Sequence, residues 1–192
     1  MEQIRCFIAI ELPEEVQAGL SRLQAKLKSA NPPSVKWVDP RSTHLTLKFL
    51  GDIDADMTSL ITEAMGEAAY GIPPFHLEVK GLGVFPNLRR VQVAWVGISG
   101  EIDKLLELQK RIESNLAGLG FAPESRAFTP HLTLARVRDQ ASPDERQGLG
   151  RLIADTKFES VFTFPVDAVS LIRSQLTRAG AIYSQLSSVK LK

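Results

Sequence analysis

Cysteine is nearly absent: of 192 residues only Cys6 carries a thiol. No internal disulfide can form, and no cysteine-based zinc cluster. Cys6 lies in the apolar run CFIAI and reads as a small core residue rather than a nucleophile. An excess of one charge is lacking too, with 23 Lys and Arg against 22 Asp and Glu, a net +1. That balance argues against a protein that coats nucleic acid by charge alone. An RNA substrate would be gripped locally, at an end. No apolar run is long enough to cross a bilayer, and MEQIRCFIAIELPEE holds too short an apolar stretch for a signal peptide before turning acidic. A cytoplasmic location with no membrane partner is the expectation. No G-x-x-x-x-G-K-[ST] loop occurs, which argues against ATP use by that route, and no His-x-x-x-His helix suggests zinc.

What is present fits one compact domain built as two lobes. Hydrophobic residues make up 44% of the chain, an ordinary value for a globular protein. RCFIAIEL reads as a strand, and Pro13, Glu14 and Glu15 open a helix whose apolar side is Val16, Leu20, Leu23 and Leu27. After the loop NPPS and a short strand at VKWV, DPRSTHLTLKFLGD alternates as a strand to a Gly-Asp turn. A helix follows through Met57, Ile61 and Met65, then the strand FHLEVKGLGVF, a Pro86–Asn87 turn and the strand RRVQVAWVGI. The order then repeats. A helix with Ile102, Leu105, Ile112 and Leu116 on its apolar side leads to AFTPHLTLARV, and Ser142, Pro143 and Glu145 form a capping-box helix start. FPVDAVSLI and AIYSQLSSV read as two closing strands joined across RSQLTRAG.

The spacing points to duplication. Ile8 to His44 is 36 residues (44 − 8), and Val93 to His131 is 38 (131 − 93). An α+β arrangement follows, with approximate halves 1–90 and 91–192. Each lobe would be a small antiparallel sheet backed by helices, related by a pseudo-two-fold axis around a central cleft.

HLTL occurs twice, at 44–47 and 131–134. Strand alternation places His44 with Thr46, and His131 with Thr133, on one face, and the leucines on the other. Two imidazoles can act as acid and base near neutral pH, while threonine hydroxyls hold phosphate oxygens. That set suits opening of a strained cyclic phosphodiester without metal or covalent intermediate. The competing interpretation is a pair of core-facing histidines left by an old duplication.

Paired H-x-T-x motifs in a duplicated fold resemble the two-histidine phosphoesterase superfamily. Within it the chain is similar to the bacterial and archaeal RNA 2′,3′-cyclic phosphodiesterases, historically called 2′-5′ RNA ligases. The resemblance is carried by FIAIELP at 7–13, STHLTLKFLGD at 42–52, GLGVFPN at 81–87, TPHLTLAR at 129–136 and SQLTRAGAIY at 174–183. It implies metal-independent, cofactor-free hydrolysis of terminal 2′,3′-cyclic phosphates to 2′-phosphomonoesters, with weak reversible 2′-5′ ligation. It implies RNA ends as partners, tRNA fragments among them, and no obligate protein partner. It makes His44 the proton donor and His131 the acceptor; the residues alone leave that choice open, because the two motifs are identical.

Other residues carry less. Arg136 matches a family position and could pair with phosphate, although strict alternation puts it on the leucine face. Tyr183 fits a closing G-A-x-Y motif and could reach the cleft. Phe49, the counterpart of Arg136, reads as a core aromatic before a base-stacking one. Lys48 is placed on the His44 face, as a solvated strand-end lysine before a substrate contact. Trp37 reads as a hydrophobic wall or core. Arg89, Arg90, Arg173 and Arg178 could form a basic rim, and His76, with Glu78 where the motif has threonine, reads as non-catalytic. Two further functions stay open: action on another small cyclic phosphate or a 2′-5′ linkage, and a non-catalytic RNA- or nucleotide-binding module.

Overall fold

A computed structural model describes residues 2–158 and 162–192. In chain order these form β1 (Gln3–Glu11), α1 (Glu14–Lys28), β2 (Val35–Trp37), β3 (His44–Asp54), α2 (Thr58–Ala69), β4 (Phe75–Phe85) and β5 (Val93–Gly100). Then come α3 (Ile102–Ala117), β6 (His131–Val137), α4 (Pro143–Asp155), β7 (Phe162–Val166), β8 (Ala168–Thr177) and β9 (Gly180–Lys190). The helix starts follow local chemistry. Glu14 and Glu15 occupy the first turn of α1 directly after Pro13, where acids complement the helix dipole. The Ser142 hydroxyl accepts the Glu145 N–H while the Glu145 carboxylate accepts the Ser142 N–H, a complete capping box on α4.

The strands build two antiparallel sheets, ordered β3-β1-β8-β9 and β2-β6-β5-β4-β7. The protein is therefore α+β and two-lobed, and the sheets approach each other where β3 meets β6. Helices α2 and α3 pack with the first sheet, and α1 and α4 with the second. The lobes do not coincide with residues 1–90 and 91–192. In the first repeat β1 and β3 pair with each other, but β2 and β4 leave to pair with β6 and β5. In the second repeat β5 and β6 pair, and β8 crosses back to pair with β1. Each sheet thus has a strand of the other repeat near its centre. FPVDAVSLI, expected as one strand, is two: β7 ends at Val166 in the second sheet and β8 begins at Ala168 in the first. The apolar run hides this crossing: β7 buries Phe164 and Val166 in alternation, β8 buries Val169 to Ile172 on both faces, and between the two strands stands only Asp167.

A β-bulge recurs at the same place in both repeats. Along β1 and β3, Ile8 faces Lys48 and Ala9 faces Thr46, so Leu47 is the extra residue. Along β5 and β6, Ala94 faces Ala135 and Trp95 faces Thr133, so Leu134 is extra. An inserted residue inverts the alternation beyond it. Up to the bulge, the leucines at 45, 47, 132 and 134 are buried and His44, Thr46, His131 and Thr133 are half-buried. Past it, Lys48 and Ala135 are buried, and Phe49 and Arg136 are exposed. The Leu134 carbonyl at the bulge is held by the Val38 N–H at 2.9 Å and by the buried Gln24 amide of α1 at 3.0 Å. Helix α1 is thereby locked to the histidine strand of the second sheet.

Candidate active site

Each histidine is the first residue of its strand, just after a turn that holds its ring. The His131 Nδ1 lies 2.7 Å from the Thr129 carbonyl oxygen. A carbonyl oxygen only accepts, so Nδ1 carries the hydrogen and Nε2 is the nitrogen free to exchange a proton. The backbone of Ser42, also two residues before its histidine, favours the charged form of His44. Burial holds the His44 imidazole below its ordinary pKa, while the Glu11 carboxylate and the Ser42 backbone act in the opposite sense.

Aromatic rings surround both imidazoles. His44 meets Phe7 edge-on at 5.7 Å and Tyr183 at 5.3 Å, and Phe7 meets Tyr183 at 5.3 Å and Phe49 at 6.0 Å. His131 meets Phe85 edge-on at 5.0 Å, with Trp95 at 6.1 Å. Phe7, Phe85 and Trp95 come from β1, β4 and β5, and nothing local in the sequence marks them as neighbours of a histidine. A Cβ at Gly83 would collide with the Trp95 ring, so the glycine makes room for that ring next to His131.

The bulge corrects three expectations. Arg136 returns to the histidine side, despite strict alternation, because Leu134 is looped out before it. Phe49 is not a core aromatic; it is 71% exposed beside Phe7. Lys48 is neither solvated nor on the His44 face. It is 7% exposed, and its Nζ lies 2.8 Å from the Glu113 carboxylate of α3 and 3.0 Å from the Ala122 carbonyl oxygen.

The strand partner of Arg136 on β2 is Lys36, which is also exposed. Two like charges directly opposite each other repel, so this pair creates a local demand for an anion that net charge conceals. Sequence reasoning missed Lys36, since only strand pairing brings it beside Arg136.

His76 is exposed, with its backbone N–H donating to the Glu101 carboxylate. Arg173 pairs with Glu2. Arg89 and Arg90 are exposed just after the Phe85–Pro86 turn, and Arg178 sits in the β8–β9 turn. Trp37 is partly buried against the core with the Lys28 ammonium over its ring. Cys6 is buried, and burial pushes its thiol up to about 11, which removes it as a nucleophile at neutral pH. Among the described residues no group of three or more His, Cys, Asp or Glu side chains could hold a metal ion, and no helix is long and apolar enough to cross a membrane.

Two sheets, each presenting a bulged His-x-Thr strand where they approach, are the layout of a phosphoesterase. The chain belongs to the family described as LigT like phosphoesterase, whose profile matches residues 10–95 and again 96–183. It is 36% identical over 189 residues to the RNA 2′,3′-cyclic phosphodiesterase of Methanothermobacter thermautotrophicus, covering 98% of this chain and 100% of that one. To the enzyme of the same name from Thermotoga maritima it is 34% identical over 183 residues, covering 95% and 93%. In structure it is similar to Escherichia coli LigT complexed with 3′-AMP, with a TM-score of 0.80, 26% identity and coverage of 100% and 99%.

Proposed function

We propose that the protein hydrolyses RNA 2′,3′-cyclic phosphate ends to 2′-phosphomonoesters, using His44 and His131 as its proton-transfer pair and residues 1–192 as one catalytic domain. The observation that carries this is the duplicated strand. Each repeat delivers an imidazole tied at its turn, a threonine on the same face, and one bulge-displaced residue beyond them. In the reaction, Nε2 of His131 takes a proton from water as its oxygen attacks phosphorus. The phosphorus–O3′ bond breaks, and His44 protonates the departing O3′. One diester and one water become a 2′-phosphate and a 3′-hydroxyl. Thr46 and Thr133 hold the non-bridging oxygens. A 5′-hydroxyl acting in place of water forms a 2′-5′ linkage by the same proton transfers. RNA ends from tRNA fragments are one substrate source, and the cytoplasm is the setting.

The two walls differ in character. Phe7, Phe49 and Tyr183 give the His44 side an aromatic face for the terminal base, while Arg136 and Lys36 give the His131 side positive charge for phosphate. Phe49→Ala is expected to raise KM for a cyclic-phosphate-ended oligonucleotide with little change in kcat. A lost base stack is worth about 1–3 kcal/mol, roughly 5- to 150-fold. Steady-state kinetics on a short oligonucleotide series check this, and an unchanged KM would remove Phe49 from the site.

The deciding assay incubates the protein with EDTA and an oligonucleotide ending in a 2′,3′-cyclic phosphate, then maps the product. Full activity with a 2′-phosphate product is expected. A 3′-phosphate product, or activity abolished by EDTA, would refute the proposed chemistry. Turnover of cyclic mononucleotides with none on RNA ends would move the substrate to a smaller cyclic phosphate.

A further inference from the structure

The two HLTL motifs are identical, so any difference between their histidines must come from what faces them. Across β1 and β3, the strand partner of His44 is Glu11. Across β5 and β6, the strand partner of His131 is Gly97. These positions correspond in the two repeats. Directly opposed residues share a face with Cβ atoms about 4.5–5.5 Å apart, so Glu11 presents a carboxylate to His44 where His131 meets bare backbone. The glycine is enforced: a Cβ at position 97 would lie 2.7 Å from the Lys80 carbonyl oxygen. That oxygen is brought close by an irregularity in β4 between Val79 and Leu82, around Gly81 at φ +79°. No side chain, acidic or otherwise, fits there without moving β4.

Glu11 is held in place without being neutralised. The buried Ser170 hydroxyl donates to its carboxylate at 3.1 Å, and Ser170 lies 3.3 Å from the Ser188 hydroxyl. Among the described residues no Lys, Arg or His forms an ion pair with it.

We propose that Glu11 is a positioning residue that favours the proton on His44, and that the Glu11/Gly97 difference supplies a bias between two histidines set in identical motifs. The assignment rests on the two-histidine reaction proposed above and supplies the asymmetry which the identical motifs lack. The other titratable or charged groups turned toward His44 are Tyr183 from β9 and, across the cleft of the proposed arrangement, His131 and Arg136 from β6. Among the described residues, Glu11 is the carboxylate whose charge acts on His44. Burial lowers the His44 pKa, and Glu11 limits the fall. Without it, the charged form is lost at lower pH.

The test is Glu11→Gln, which keeps the shape and an oxygen for Ser170 but removes the charge. His44 must be protonated to act as donor, so the alkaline limb of the kcat/KM–pH profile is expected to move down by about half a pH unit or more. That is a ~3-fold loss above the limb, with the acid limb unmoved. Glu11→Asp should recover part of the shift. Imidazole titration by NMR in the free protein should show His44, and not His131, titrating lower in Glu11→Gln. A uniform loss at every pH, movement of the acid limb, or an unmoved His44 titration would overturn the assignment. If the unsubstituted protein shows no two-limbed profile, the acid–base reaction itself fails, and the free-protein titration still decides the role of Glu11.

Discussion

Replacing either His44 or His131 with alanine is expected to lower kcat/KM on cyclic-phosphate-ended RNA by about 10²–10⁴-fold, the usual contribution of one general acid or base. The double variant should lose much less than the product of the two losses, because donor and acceptor act on one transition state and each is of little use without the other. Neither single change should unfold the protein. Both rings are half-buried on the sheet faces opposite the leucines, whereas the cores beneath are built by Leu45, Leu47, Leu132 and Leu134. Kinetics on the single and double variants, with unfolding curves as a control, check the expectation. A single variant retaining more than about a tenth of the rate would show that the imidazole is not transferring a proton. If both single variants still bind RNA ends as well as the unsubstituted protein, and that protein turns none over, a binding module would replace the enzyme.

Lys48→Ala should do the opposite: a large loss of stability at a residue that touches no substrate. Lys48 and Glu113 are 5% and 16% exposed at their side chains, 2.8 Å apart. Glu113 also accepts the Glu124 N–H at 3.3 Å, and Lys48 holds the Ala122 carbonyl oxygen. Deleting the lysine leaves a largely buried carboxylate without its counter-charge, a loss of about 3–5 kcal/mol. Replacing both partners by apolar residues of similar size should cost far less, since no charge is then stranded. Urea unfolding of Lys48→Ala against a Lys48→Met, Glu113→Leu double variant measures the difference. A loss below about 1 kcal/mol for the single change would place the pair among exposed ion pairs of little weight. The site should remain intact in whatever fraction stays folded, because Lys48 lies behind the bulge, on the helix side of β3.

The same bulge marks where the sequence could be read and where it could not. Alternation from His44 to Leu47, and from His131 to Leu134, orders half-buried and buried residues as the structure has them. At the next residue it fails in both repeats. The bulge is set by how β3 pairs with β1 and β6 with β5, and both partners are about 40 residues away in sequence (46 − 9 is 37, 133 − 95 is 38). A parity rule applied along one strand has no access to that. The repeated failure was nonetheless encoded: Phe49 and Arg136 stand at the same offset, five residues after their histidines. An arginine makes no sense on a face that points into the core, whereas Phe49 fits such a face and gave no warning. Phe7, Phe85, Trp95, Glu11 and Lys36 were invisible for a related reason, since each reaches its place by pairing between distant strands. The crossing of the chain between sheets at Asp167 was lost because that one residue is all that separates the apolar residues of β7 from those of β8.

The traded strands β4 and β8 have an implication for ancestry and for engineering. The first repeat alone would offer β1 paired with β3 and leave β2 and β4 with nowhere to dock, and the second would offer β5 paired with β6 and leave β7 and the β8–β9 hairpin without a sheet. Two such half-length molecules could satisfy each other only by clasping, as a swapped homodimer with one His-x-Thr strand from each. Fusion of the genes would make that union permanent and free the two copies to diverge. Cutting the modern chain between Phe85 and Val93 should therefore yield fragments that are insoluble apart but recover activity when refolded together.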